Sequence, residues 1–138
     1  MAEGKVLTGA GLRGQVAGKT ALSTVGKSGA GLTYRGYDVQ DLAENCQFEE
    51  VAYLIFFGEL PTTEQLTAYK AKLKSLRSLP QALKEVLERI PADSHPMDVM
   101  RTGVSMLGNL ETEKSFDEQQ DVADRILATL PAIICYWY

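Results

Sequence analysis

Histidine is nearly missing from this chain: His95 is the only imidazole among 138 residues. A metal site built from several histidines is therefore excluded. Cysteine is scarce as well. Cys46 and Cys135 lie far apart and match no metal-ligand spacing, so they read as reduced thiols of a cytoplasmic protein. Positive charge is not in surplus. Lysine and arginine number 14 against 18 acids, a net charge of -4, which disfavours nucleic acid or an anionic membrane as partner. The most apolar stretch, residues 126–138, falls short of the roughly 20 residues a membrane span needs. Pro131 and the polar segment 117–125 also count against a span. Met1-Ala2-Glu3-Gly4-Lys5 holds an acid and no apolar core, so no secretory leader is expected. No biased segment or internal repeat stands out. What remains is ordinary for a globular protein of about one domain, with 45% hydrophobic and 23% charged residues.

Residues 1–18 are rich in glycine and lack periodicity, which predicts an irregular arm. The remainder, 19–138, reads as one mainly helical region opened by a β-hairpin over about 20–35. Thr20 to Val25 and Leu32 to Arg35 are its strands, and the glycine-rich 26–31 is its turn. Helices follow over about 39–44, 48–57, 62–77, 80–90, 95–110 and 116–138. Asp38 is placed to cap the first. Thr62 with Gln65, and Ser115 with Glu118, have the spacing of capping boxes. In helix 62–77, Leu66, Tyr69, Leu73 and Leu76 form one apolar stripe, and Lys70, Lys72 and Lys74 read as its solvated side. Leu83, Val86, Leu87 and Ile90 point inward from the next helix, which Pro91 and Asp93 end.

Helix 95–110 has a different character. Met97, Val99, Met100, Gly103, Val104, Met106 and Leu107 cover most of its circumference, and Asp98, Thr102, Ser105 and Asn109 form a mostly small remaining strip. A helix apolar nearly all round is buried on several sides. The last helix ends in Ile133-Ile134-Cys135-Tyr136-Trp137-Tyr138. Each large apolar side chain there forfeits about 1.5–3 kcal/mol if left in water. Something is expected to cover it: a second copy of the chain, further protein of the same chain, or a membrane, the last disfavoured above.

Four other features have a simple structural reading beside a functional one. Gly14 to Thr20 looks like a phosphate loop but is one residue short between its glycines and precedes a strand, so it reads as an ordinary turn. His95 stands before Pro96, at a helix start, and reads as structural. Arg13, in Gly11-Leu12-Arg13-Gly14, is either an exposed arginine or an anion contact that flexible glycines let approach a phosphate. Arg35, where strand gives way to helix, reads as a partner for a nearby acid or a backbone cap rather than a substrate contact. Asp98 and Arg101 are accounted for by helix solubility and the helix dipole.

Three blocks taken together resemble the citrate synthase family, over about residues 9–138. They are Gly11-Leu12-Arg13-Gly14 with Thr20 to Val25; Leu32-Thr33-Tyr34-Arg35-Gly36-Tyr37-Asp38 with Gly58-Glu59-Leu60-Pro61-Thr62; and His95-Pro96-Met97-Asp98-Val99-Met100-Arg101-Thr102-Gly103-Val104-Ser105. Gly26-Lys27-Ser28-Gly29 and the run Asp98 to Ser105 look most like the 2-methylcitrate synthase branch. The resemblance is to that family's amino-terminal third. It implies a multi-helical large domain, incomplete in these residues, and a condensation of propionyl-CoA with oxaloacetate. No metal or redox cofactor is implied, the CoA thioester being a substrate. The family's two histidines and catalytic acid are expected downstream, so no catalytic residue is assigned within this chain, which alone is expected to be inactive. His95 matches the block that begins a structural helix. Arg13 matches a position where some members hold CoA phosphate. Helices 95–110 and 116–138 match those that pair two subunits, which implies a homodimer. Two alternatives stay open: citrate synthase using acetyl-CoA, and a non-catalytic helical interaction module.

Overall fold

The computed structural model describes residues 18–26 and 31–138. The arm with Arg13, most of the Gly14–Thr20 segment, and the hairpin tip at 27–30 lie outside the described residues. The chain forms two compact units, divided between Leu60 and Pro61.

In the first unit, β1 (Ser23–Val25) pairs antiparallel with β2 (Leu32–Tyr34), setting Thr24 opposite Thr33. The Thr24 and Thr33 hydroxyls are hydrogen-bonded at 2.6 Å. A third strand, β3 (Tyr37–Asp38), which the sequence reading lacked, pairs with β2 with Tyr34 opposite Tyr37. Its cause is the turn at Arg35 and Gly36, with φ of 50° and 93°. Two consecutive positive φ values are what a tight hairpin turn of the right twist requires. Asp38 then caps α1 (Val39–Asn45), its carboxylate accepting from the Gln40 amide at 2.7 Å. Next, α2 (Phe48–Phe57) opens with a Gln47–Glu50 capping box and closes at Gly58, whose φ of 93° suits glycine.

The second unit holds α3 (Thr63–Ser75), α4 (Gln81–Leu87), α5 (Pro96–Leu110) and α6 (Gln119–Trp137). Thr62 and Gln65 form the expected capping box at the start of α3. The Ser115–Glu118 box does not form. A single 3-10 turn, Phe116–Glu118, precedes α6, and the Glu118 carboxylate reaches one residue further back, to accept from the Lys114 amide at 3.0 Å. The core joins three helices: Leu83 and Leu87 of α4, Val99 and Leu107 of α5, and Ile133 of α6. Trp137 and Ile134 pack on its edge. The carboxyl-terminal segment is thus partly covered within the chain itself, a correction to the expectation that outside protein must cover all of it. Tyr136 and Tyr138 remain exposed.

Two polar networks fix the helices to one another. Asp124 of α6 is wholly buried. It accepts from the Tyr69 hydroxyl at 2.8 Å, from Lys72 Nζ at 2.7 Å and from Gln120 Nε2 at 3.2 Å. Lys72 is therefore not simply solvated, as its place among three lysines suggested. It bridges Asp121 and Asp124, and hydrogen bonds to those two carboxylates raise its pKa. A buried carboxylate is tolerated only when compensated in this way. The second network centres on Arg125. Its guanidinium forks onto Glu111 at 2.6 and 2.8 Å and donates to the carbonyls of Leu76 and Ser78, tying α6 to the ends of α3 and α5. The hydrogen bond from Arg125 holds the Glu111 carboxyl below its ordinary value of 4.5.

The α5–α6 contact depends on Gly103. A Cβ built there meets Ile133 Cγ2 at 2.6 Å, whereas at Gly108, five residues on, it meets nothing within 4 Å. We expect Gly103→Ala to cost about 1–3 kcal/mol by overpacking. Gly108→Ala should be neutral or stabilising by up to about 1 kcal/mol. Urea unfolding of both variants measures the contrast, and equal midpoints would contradict the packing account.

The Glu111–Arg125 pair gives a pH signature. Because Glu111's folded pKa is depressed, its contribution is present above about 4.5 and is lost as pH falls through the folded value. Glu111→Gln should destabilise at neutral pH by about 1 kcal/mol or less, given solvent screening of the half-exposed carboxylate. The wild-type and variant curves should converge in acid. Unfolding measured across the acid range checks this, and a gap that stays constant with pH would contradict it.

Candidate functional site

Four of the residues singled out in the sequence, His95, Arg35, Asp98 and Arg101, are among the described residues. His95 is the N-cap of α5, and its Nδ1 accepts the Met97 amide at 3.2 Å. That nitrogen is occupied by a backbone donor, which fits the structural reading. Arg35 donates from Nη2 to the Ile55 carbonyl at 2.8 Å, in the last turn of α2. Backbone capping was one of the two readings open for it, and Ile55 is the residue it serves. Its Nε is buried without a hydrogen-bond partner. Asp98 and Arg101 form an exposed ion pair at 3.1 Å, one turn apart on α5. Arg13 lies outside the described residues. Among the described residues, no three His, Cys, Asp or Glu side chains gather as a metal set. No helix among them is long and apolar enough to cross a membrane.

One concavity lies in the second unit, where α5 and the start of α6 diverge. It is a groove of about 680 Å³. Val104, Leu107, Val122 and Ile126 are among its apolar lining residues, and Glu111, Lys114, Glu118 and Asp121 among its charged ones. Arg125 lines it too, held by the Glu111 fork. Sequence reasoning did not find this groove, because it arises from the divergence of two helices and not from any motif. The outer strip of α5, with Asp98, Thr102, Ser105 and Asn109, faces solvent, and Met97 is also exposed. The helix is therefore buried along Val99, Gly103 and Leu107 rather than on several sides. Near the end of α6, Tyr136 donates to Glu88 at 2.5 Å while Lys84 sits 5.4 Å from its ring centre. That hydrogen bond raises the Tyr136 pKa. Cys46 and Cys135 are both free thiols.

Comparison with known proteins gives this helical frame its relatives. The family model described as citrate synthase, C-terminal domain, matches residues 11–138. A 2-methylcitrate synthase from Shewanella oneidensis is 78% identical over 138 residues, all of this chain and 37% of that protein. 2-Methylcitrate synthase 1 of Corynebacterium glutamicum is 43% identical over 127 residues, 90% of this chain and 33% of that protein. Among solved structures, citrate synthase from Thermoplasma acidophilum, in a ternary complex with carboxymethyl coenzyme A and oxaloacetate, superposes with a TM-score of 0.83 at 28% identity, covering 93% of this chain and 34% of that one. The chain spans about a third of the length of the curated relatives it matches. With the helical architecture, the matched model and this identity in agreement, the chain belongs to the citrate synthase family.

Proposed function

We propose that this chain serves as part of the helical frame of a 2-methylcitrate synthase. Such an acyltransferase condenses propionyl-CoA with oxaloacetate and water to give 2-methylcitrate and CoA. The observation that carries this reading is 78% identity, across the whole chain, to an enzyme of that name. In the reaction a carboxylate takes a proton from the methylene of propionyl-CoA, the carbon attacks the ketone of oxaloacetate, and water cleaves the thioester. Two histidines assist. The chain has one, and its Nδ1 caps α5, so the acid–base groups are assigned to residues beyond these 138.

Two further points belong to the same proposal. The enzyme is a homodimer paired through α5 and α6. The exposed strip of small side chains on α5 and the apolar groove beside α6 support this. Arg13 contacts a phosphate of CoA, its glycine neighbours leaving the guanidinium room to approach. No metal or redox cofactor enters the chemistry. Free thiols at Cys46 and Cys135 support a cytoplasmic location.

The test is an enzyme carrying these residues, assayed with oxaloacetate for thiol release. We expect kcat/KM for propionyl-CoA to exceed that for acetyl-CoA. One methylene is worth about 1–3 kcal/mol, or roughly 10–200-fold. The reverse preference would move the assignment to citrate synthase. Activity on neither thioester would leave a non-catalytic interaction module. The 138-residue chain alone should release no thiol. Arg13→Ala should raise KM for the thioester with little change in kcat, and an unchanged KM would remove the phosphate contact.

A further inference from the structure

We propose that His95 is a proton-operated cap on α5: the neutral imidazole holds the first turn of the helix, and the protonated imidazole releases it. The inference concerns the fold of this chain and does not rest on the reading of its activity.

The first turn of a helix has amide donors with no carbonyl partner inside the helix. At the start of α5, Pro96 brings no amide, so Met97 is the first residue in need of an acceptor. His95 Nδ1 is that acceptor, at 3.2 Å. The His95 carbonyl accepts from the amides of Asp98 and Val99 at 2.9 and 3.2 Å. His95 therefore closes the turn with its side chain and its backbone together. The residues common at this place are serine, threonine, asparagine and aspartate, which offer an oxygen. None of those changes charge near neutral pH, and histidine does. Nδ1 accepts only while it carries no proton, and an imidazolium ring has two donors and no acceptor. Protonation thus removes the cap and sets a positive charge against the positive end of the helix dipole. The capped form holds one proton fewer than the released form, so acid favours release.

The surroundings leave the ring open to this change. His95 is exposed, so solvent protons reach it. The Met97 amide is its one hydrogen-bond partner among the described residues. Asp98, the acid of the first turn, is paired with Arg101 at 3.1 Å. On α4, Lys84 and Glu88 are engaged with Tyr136, and Glu85 accepts from Gln81. Arg89 and Asp93 lie in the connection that leads to His95, and α6 has no charged side chain after Arg125. One step further into α5, Val99 is buried in the core with Leu83, Leu87 and Ile133, which confines the release to the first turn.

The test is hydrogen–deuterium exchange of the intact protein carrying these residues, read by mass spectrometry over residues 97–102 and over 103–110. Wild type, His95→Asn and His95→Ala are compared at pH 8 and again at pH 5, each pH by itself, so the intrinsic effect of pH on exchange cancels. Asparagine keeps the cap without titrating, and alanine removes it at every pH. At pH 8, wild type should exchange over 97–102 as slowly as His95→Asn, with His95→Ala about fivefold faster. At pH 5, wild type should move to the faster rate of His95→Ala while His95→Asn stays slow. Residues 103–110 should exchange alike in all three. A wild type that still follows His95→Asn at pH 5 overturns the proposal. So does a wild type that already matches His95→Ala at pH 8, and so does an acid-induced loosening that His95→Asn shares.

Discussion

The second unit depends on how closely α6 lies against α5, and that distance is set by the missing side chain of Gly103. Ile133 occupies the space where a Cβ would stand. Once the two helices meet there, Val99 and Leu107, one turn to either side on α5, close over Ile133, and Leu83 and Leu87 complete the core from α4. Further along, the helices separate toward the end of α5 and the start of α6. The groove is a consequence of that separation, and Arg125 spans the region as a charged strut. Close approach at one point and divergence at another are two aspects of the same crossing.

Polar contacts then fix the register that apolar packing leaves loose. Leucine and isoleucine surfaces slide past one another at modest cost, but a buried carboxylate does not. Asp124 is satisfied only where Tyr69 and Lys72 of α3 both reach it, which defines a single axial setting of α6 against α3. Arg125, the next residue, needs Glu111 and the α3 terminal carbonyls in place together. Two adjacent residues of α6 thereby hold two different neighbours.

Much of this frame is legible in the sequence, for identifiable reasons. The caps at Asp38 and Thr62 follow from short-range rules, in which a side chain reaches an amide two or three residues away. The His95–Pro96 helix start is of the same kind. The groups that sequence reasoning missed involve partners far along the chain. Lys72 in a row of lysines looks solvated, and nothing local shows that Asp121 and Asp124 come to meet it. An aspartate in the middle of a helical pattern looks like part of its polar face. The Arg35–Gly36 turn was missed because arginine rarely takes positive φ, so a strand beyond it is not suggested. At Ser115 the local rule itself misled: Glu118 has the capping-box spacing, but a 3-10 turn brings its carboxylate to Lys114 instead. The groove left no linear trace at all.

What such a frame contributes to chemistry follows from what its polar groups are already doing. His95 spends its Nδ1 on a backbone amide. Arg35 and Arg125 spend guanidinium donors on the carbonyls of helix ends, and Asp124 is satisfied by three donors. Groups so engaged hold position well, since moving any of them would break the contacts it makes. A condensing enzyme needs both kinds of group. Acid–base residues must be free to change state, and they work only if the structure around them does not shift when they do. In these 138 residues the described polar side chains with the most partners all serve the second requirement. The contacts these groups make supply that rigidity.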